Sequence, residues 1–228
     1  MLYGFSQVIF HGALVTLELA ISSVVLAVLI GLAGAGAKLS KNRPLALVFE
    51  GYTTLIRGVP DLVLMLLIFY GLQIALNSVT DALGLAQFDI DPMVAGIITL
   101  GFIYGAYFTE TFRGALLGVP PGQWEAGLAY GMGRGRVFWR LILPQAARLA
   151  LPGLTNNWLV LLKATALVSV IGLQDMMYLA KQAGSATREP FTYLLWAGAG
   201  YLALTSASLL ALRLVSRRVS VGVRHGEI

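Results

Sequence analysis

Cysteine is absent from the 228 residues, and histidine occurs only as His11 and His225, near opposite ends of the chain. Disulfides, a thiolate nucleophile and a zinc site built from thiolates or clustered imidazoles are thereby excluded. Charge is scarce as well: 12% of the residues are charged, against roughly 25% in a soluble globular domain. An ordinary soluble fold is ruled out on that ground. No Gly-x-x-x-x-Gly-Lys-Ser/Thr segment occurs, so the usual phosphate-cradling loop for ATP is missing. Lys and Arg are also missing from the first 37 residues. The cationic start of a signal peptide is therefore lacking. Although Ala33-Gly34-Ala35 imitates a cleavage site, the first apolar stretch is expected to be retained as a span.

What remains is apolar. Hydrophobic residues make up 57% of the chain, in runs that match the roughly 20 helical residues needed to cross a hydrocarbon core of about 30 Å. Hydropathy places five spans, at about 10–37, 61–79, 93–117, 156–178 and 191–215. Turn chemistry separates them at Lys38–Pro44, Asp89–Pro92, Pro152–Asn157 and Glu189-Pro190. Lys38, Lys41, Arg43 and Arg57 follow the first span, Arg113, Arg134, Arg136, Arg140 and Arg148 the third, and Arg213, Arg217, Arg218 and Arg224 the fifth. Only Lys181 and Arg188 fall on the other side. Because cytoplasmic loops carry the excess of Lys and Arg, this distribution predicts an outside N-terminus and a cytoplasmic C-terminus. The net charge of +5 then reflects orientation in lipid, with no nucleic-acid surface implied.

Two segments are not simple spans. Residues 45–60 read as an interfacial helix or a broken beginning of the second span, since Gly58 and Pro60 interrupt helical hydrogen bonding. Residues 118–153 form a cytoplasmic excursion. It opens on Gly-Val-Pro-Pro-Gly and continues as an amphipathic helical pattern through Trp124, Leu128, Val137, Phe138, Leu141 and Leu143.

That excursion holds Glu125-Ala126-Gly127, then Gly131, then Leu141-Ile142-Leu143-Pro144. It resembles the E-A-A-x-x-x-G-x9-I-x-L-P loop of binding-protein-dependent importers of the ATP-binding cassette class. The spacing is intact, and Gly127 and Leu141 are the two departures. Through Thr16-Leu17, Arg57-Gly58-Val59-Pro60, Ala106-Tyr107, Glu110, Arg113-Gly114, Asn157 and Lys163-Ala164-Thr165-Ala166-Leu167, the chain resembles polar amino acid permeases over almost its whole length, and among them those for basic amino acids. The family's usual Arg-Gly-Thr-Pro-Leu-Leu reads Arg-Gly-Val-Pro-Asp-Leu here, which singles out Asp61.

The resemblance implies an all-α membrane protein with the five-helix, MetI-like permease fold of type I importers, residues 1–228 forming one transmembrane domain in a bacterial inner membrane. The partners it implies are a second homologous permease subunit, two ATP-binding cassette ATPase subunits, a periplasmic amino-acid-binding protein and membrane lipid. No cofactor is implied in this chain, ATP and Mg being held by the partner ATPase. Glu125, Ala126, Gly127, Gly131, Leu141, Leu143 and Pro144 become ATPase-coupling residues. Such a loop must enter a partner's groove as a short rigid helix. Gly131 admits either close backbone approach or a sharp turn, and Glu125 falls where a negative charge meets the favourable end of the helix dipole, so that capping alone and direct contact with the partner both stay open for it.

Ionisable side chains inside spans cost about 2.5–3.5 kcal/mol on insertion scales and tend to face a bundle interior or a wet path. Glu18, Asp61, Glu110, Lys163 and Asp175 qualify, and the first four are the candidate substrate-binding residues. Glu110 and Arg113, three apart, are expected to pair. Asp61 has Arg57 four residues before it, while Glu18 has no basic residue nearby in sequence. Lys163 is expected to pair with a span carboxylate such as Glu110, the alternative being the carboxylate of a bound amino acid. Gly101-x-x-x-Gly105 is a helix-contact signal whose expected place is a subunit interface. Trp158, Tyr193 and Trp196 are expected as interfacial anchors. Two rivals to an importer stay open, a secondary transporter coupled to protons through Glu18 or Asp61 and a membrane scaffold or sensor. No Ser/His pair or metal constellation supports a membrane enzyme.

Overall fold

The computed structural model describes residues 3–219; Arg224 and His225, and the side chains of Arg217 and Arg218, fall outside that description. Its helices are α1 (Tyr3–Leu39), α2 (Arg43–Gly58), α3 (Asp61–Ala82), α4 (Pro92–Leu117), α5 (Gly122–Ala129), α6 (Arg134–Val137), α7 (Leu143–Ala164), α8 (Met176–Thr187) and α9 (Pro190–Val219). A π turn, Phe138–Ile142, joins α6 to α7, and a 3₁₀ segment, Thr165–Ile171, continues α7. Five stretches are long and apolar enough to cross a membrane: Ile9–Leu39, Asp61–Ala82, Pro92–Leu117, Arg134–Ile171 and Pro190–Leu214.

Local chemistry sets the helix ends. Asn42 caps α2 by accepting from the backbone N–H of Leu45, with Pro44 in the first turn. Asp91 caps α4 by accepting from Met93 and Val94, with Pro92 just inside. Between α2 and α3 the backbone is extended at Val59 and Pro60, so residues 45–60 are a helix followed by a break. The fourth span departs from the expected 156–178. Pro152, read above as part of a break, lies inside α7, where it removes one backbone donor without ending the helix. The stop comes at Gly172, whose φ of 98° is left-handed.

Asp175 therefore stands beyond the span. It caps α8, accepting from the Tyr178 N–H at 2.9 Å. Loss of solvent pushes its carboxyl up to about 6.

The bundle is organised around α4, the most enclosed of the spanning helices, while α3 and α9 are the least enclosed. Its closest partner is α1, and the two run side by side in the same direction. Leu19 of α1 meets Gly96 of α4, Leu26 meets Gly101, Ile30 meets Gly105, and Gly34 meets Thr109. A Cβ at Gly101 would lie 2.5 Å from Leu26 Cδ2, and one at Gly105 would lie 2.7 Å from Ile30 Cγ2. The Gly101/Gly105 pair thus serves contact within the chain and not the subunit interface expected from its sequence. Without glycine the helix axes cannot come this close.

Phe108, Tyr104, Leu19, Leu100 and Met65 fill the core around this seam. Tyr193 is buried between α8 and α9, and Trp158 packs on the main core; both were expected as interfacial anchors, and only Trp196 is exposed.

The seam gives a direct stability prediction. A Cβ at Gly31 would sit 2.6 Å from Phe108 Cβ and 3.0 Å from its backbone carbonyl carbon, whereas one at Gly36 meets nothing within 4 Å. Gly31→Ala is expected to destabilise the protein by about 1–3 kcal/mol, as overpacking does. Gly36→Ala should be neutral or gain up to about 1 kcal/mol from helix propensity. Thermal unfolding of the two purified variants in detergent checks the contrast, and equal midpoints would contradict the seam.

Candidate functional site

Where α2 crosses α4, polar side chains collect inside an otherwise apolar bundle. On α2, Glu50, Thr54 and Arg57 recur at helical spacing, so they share one face. Phe49, Thr53 and Ile56 point into the protein, and Val48 and Leu55 form a third, exposed apolar face. The polar face opens onto Tyr107 and Glu110 of α4. Together with Thr53 and Gly58 these residues line a cavity of about 400 Å³.

The charged groups in this groove are held from α4 or α1. The Arg57 guanidinium lies over the Tyr107 ring, 5.7 Å from its centroid, within reach of a cation–π attraction. Tyr107 stacks on Tyr104 at 5.5 Å. The Tyr104 hydroxyl donates to Asp61 Oδ2 at 3.0 Å. The extended residues Val59 and Pro60 are thus flanked by two attachments to consecutive turns of α4. Tyr52 adds a third tie by donating to the carbonyl of Phe102.

At the other end of the groove the Lys38 ammonium, with its side chain 4% exposed, pairs with Glu110 and with Glu50 at 2.6 Å. It also donates to Thr53 Oγ1 at 2.9 Å. Arg113 completes the cluster by donating to Glu110 Oε2 at 3.1 Å. A charge buried this deeply is tolerable only because every donor has an acceptor.

Of the four residues expected at a substrate site, Glu110 lines this cavity and Asp61 lies beside it, outside the lining, bonded to Tyr104. The Glu110–Arg113 pair forms as expected, but the partner of Asp61 is Tyr104 and not Arg57. Lys163 is exposed on the last turn of α7 and does not pair with Glu110, whose cations are Lys38 and Arg113. Glu18 is exposed on α1, twenty residues before Lys38, which is about 30 Å along a helix and hence a full hydrocarbon thickness from the groove. Lys38 and Glu50 were missed as site residues. Lys38 reads in sequence as one more loop charge after a span, and only the packing of α1 along α4, with α2 returning across them, sets it against Glu110 and Glu50.

The excursion after α4 forms a second site. Glu125 lies in the first turn of α5, exposed, after Pro120 and Pro121. Ala126 is exposed and Gly127 buried, a Cβ there falling 2.8 Å from Val137 and 2.9 Å from Leu141. Gly therefore lets α5 seat closely on the start of the fourth span. Gly131 has φ 77° with open space around it, so within this chain its role is the turn and not close approach.

Val119, Val137, Ile142 and Ala146 form a small core under α5, with Trp124 and Leu141 packed on it. The π turn brings Val137 and Ile142, five apart, to this same core. Pro144 follows the turn directly and has no N–H to offer the Arg140 carbonyl four residues earlier, which disfavours regular α-helical bonding there. Leu143 is half-buried and Pro144 exposed.

Comparison with known proteins adds the following. Residues 23–221 match the family described as binding-protein-dependent transport system inner membrane component. The chain is 65% identical, over all 228 residues and all of the relative, to the histidine/lysine/arginine/ornithine transport system permease protein HisQ of Escherichia coli (strain K12). It is 38% identical to the arginine ABC transporter permease protein ArtQ of the same organism, covering 90% of this chain and 92% of that one. Among solved structures, an amino acid ABC transporter with histidines superposes with a TM-score of 0.83 at 33% identity, over 95% of this chain and 96% of that one. The methionine transporter MetNI superposes with a TM-score of 0.75 at 18% identity, over 96% and 99%, and shows the same fold.

The turn at Gly131 can be tested without any partner. Gly131→Ala should strain the left-handed residue by roughly 1–2 kcal/mol and loosen α5 from the core beneath it. Gly131→Asn, a residue that tolerates this conformation, should restore much of the loss. Amide exchange at Val137 and Ile142 is the readout, with faster exchange in the alanine variant than in the asparagine variant; equal rates would remove the turn from the account.

Proposed function

The chain belongs to the binding-protein-dependent transport system inner membrane component family, and on that premise we propose that it moves basic L-amino acids, histidine, arginine, lysine and ornithine, into the cytoplasm as one half of a paired permease. The observation that carries the substrate class is full-length identity of 65% to a histidine/lysine/arginine/ornithine permease. The groove agrees with it, because Glu50 and Glu110 line the cavity and Asp61 stands beside it on Tyr104, so a cationic side chain passing there meets carboxylates.

The N-terminus is periplasmic and the C-terminus cytoplasmic, as the Lys and Arg distribution favours. The groove then lies toward the cytoplasmic end and Glu18 near the outer surface. Lys163, an exposed cation within a span, is costly against lipid. Its place is the path shared with a second homologous permease subunit, where its ammonium meets the substrate carboxylate.

Energy comes from outside this chain. Two ATP-binding cassette ATPases hold ATP and Mg, and a periplasmic binding protein delivers the amino acid. The α5 hairpin is the coupling element: Glu125 and Ala126 present the helix to a groove on the ATPase. Gly131, Leu141, Leu143 and Pro144 connect that helix to the fourth span. Val137 and Ile142 transmit its motion because a packed core shifts as a unit rather than deforming.

Uptake by the reconstituted complex, competed with each of the four basic amino acids, tests the substrate class. Asp61→Asn keeps an acceptor for Tyr104 but removes the charge. It should lower lysine and arginine uptake by about tenfold, a loss of about 1.4 kcal/mol, and uptake of neutral histidine at pH 8 by much less. Equal losses for all substrates would leave Asp61 with the start of α3 alone, and absence of competition by basic amino acids would overturn the reading.

A further inference from the structure

The groove contains a contradiction for a path that must release cations. Glu50 and Glu110 face one cavity whose lining, among the described residues, holds a single cation, Arg57, and carboxylates in excess of cations at reduced dielectric hold a cationic side chain tightly. Release would stall there. Lys38 removes the problem. Its ammonium reaches both carboxylates and Thr53 while contributing nothing to the cavity lining, so it sits behind them. Its four-carbon stem and ammonium head are also those of a lysine side chain.

A purely structural ion pair does not need this arrangement. Glu110 already has Arg113, and the Glu50 side chain is 60% exposed and not held in the interior. Burying the Lys38 side chain to 4% exposure for these two partners is costly unless the neutralised carboxylates themselves matter.

We propose that Lys38 is a tethered counter-ion: it holds Glu50 and Glu110 in place of the substrate's cationic side chain, so that the inner groove guides basic amino acids without trapping them. This rests on the reading of the chain as a basic-amino-acid permease. Lys38 is a positioning residue that acts through the two glutamates. Arg57, engaged with Tyr107, and Asp61, engaged with Tyr104, belong to the other end of the groove and keep their own partners.

The test uses the whole complex, with its ATPases and binding protein, in nanodiscs or proteoliposomes. In Lys38→Ala, butylammonium should raise the thermal midpoint of the complex and leave the wild type unmoved, whereas neutral 1-pentanol should affect both alike. Lysine on the cytoplasmic side should inhibit uptake at concentrations at least tenfold lower in the variant, and uncharged citrulline should inhibit both equally. Lys38→Ala/Glu110→Gln, with one carboxylate removed, should lose most of the butylammonium effect and recover wild-type inhibition by lysine. If butylammonium and 1-pentanol act alike on Lys38→Ala, or if neither variant assembles, Lys38 is a folding residue only and the proposal is overturned. The midpoint comparison requires no transport. Failure of the wild type to move basic amino acids would therefore refute the functional reading while the role of Lys38 is still decided.

Discussion

How near α1 can come to α4 decides what else fits around them. Glycines on both helices, Gly31 and Gly34 on one and Gly96, Gly101 and Gly105 on the other, remove the side chains that would hold the axes apart. Two long apolar helices have no hydrophobic drive to associate within lipid, so their attraction comes from dispersion across a close, well-fitted surface. Because they run in the same direction, the end of α1 is delivered beside the last turns of α4. That is how Lys38, the last-turn cation of α1, reaches Glu110.

From that seam the polar chemistry follows. The chain turns back at Asn42 and sends α2 across the bundle, and α4 offers Tyr104, Tyr107 and Glu110 on neighbouring turns to receive Asp61, Arg57 and, through Lys38, Glu50. Each of these contacts gives an ionised group an acceptor, donor or ring, and the one made by the buried Lys38 ammonium is worth more than at a surface. The groove is consequently both preformed and costly to rearrange. The α5 hairpin rests on its own small core, distinct from the main one, and the π turn before Pro144 lies at the beginning of the fourth span against that core.

Much of this was legible in the sequence. Runs of apolar residues marked all five spans, since crossing hydrocarbon imposes a length and a composition that few other structures need. The importer-loop spacing marked the α5 hairpin, and the Glu110–Arg113 pair followed from helical spacing alone. What stayed hidden depended on tertiary approach. Pro152 looked like a break because local rules disfavour it, yet it sits within α7. Gly101 and Gly105 announced a close helix contact without naming the partner, which proved to be α1. Asp61 has Arg57 four residues before it, but the extended backbone at Val59 and Pro60 breaks the helical register, and Tyr104 takes its place. Lys38 and Glu50 carried no local signal at all, being twelve residues apart across a turn.

The central claim is that one face of α2 borders an aqueous path while its neighbouring face does not. The absence of cysteine makes the chain a clean background for testing it. Thr54→Cys and Leu55→Cys place a thiol on adjacent residues of the same helix, one on the groove face and one on the apolar face. With the assembled complex in inside-out vesicles, a membrane-impermeant maleimide should label Thr54→Cys and leave Leu55→Cys unmodified. Labelling of Leu55→Cys alone, or of both at the same rate, would contradict the groove as a water-lined path.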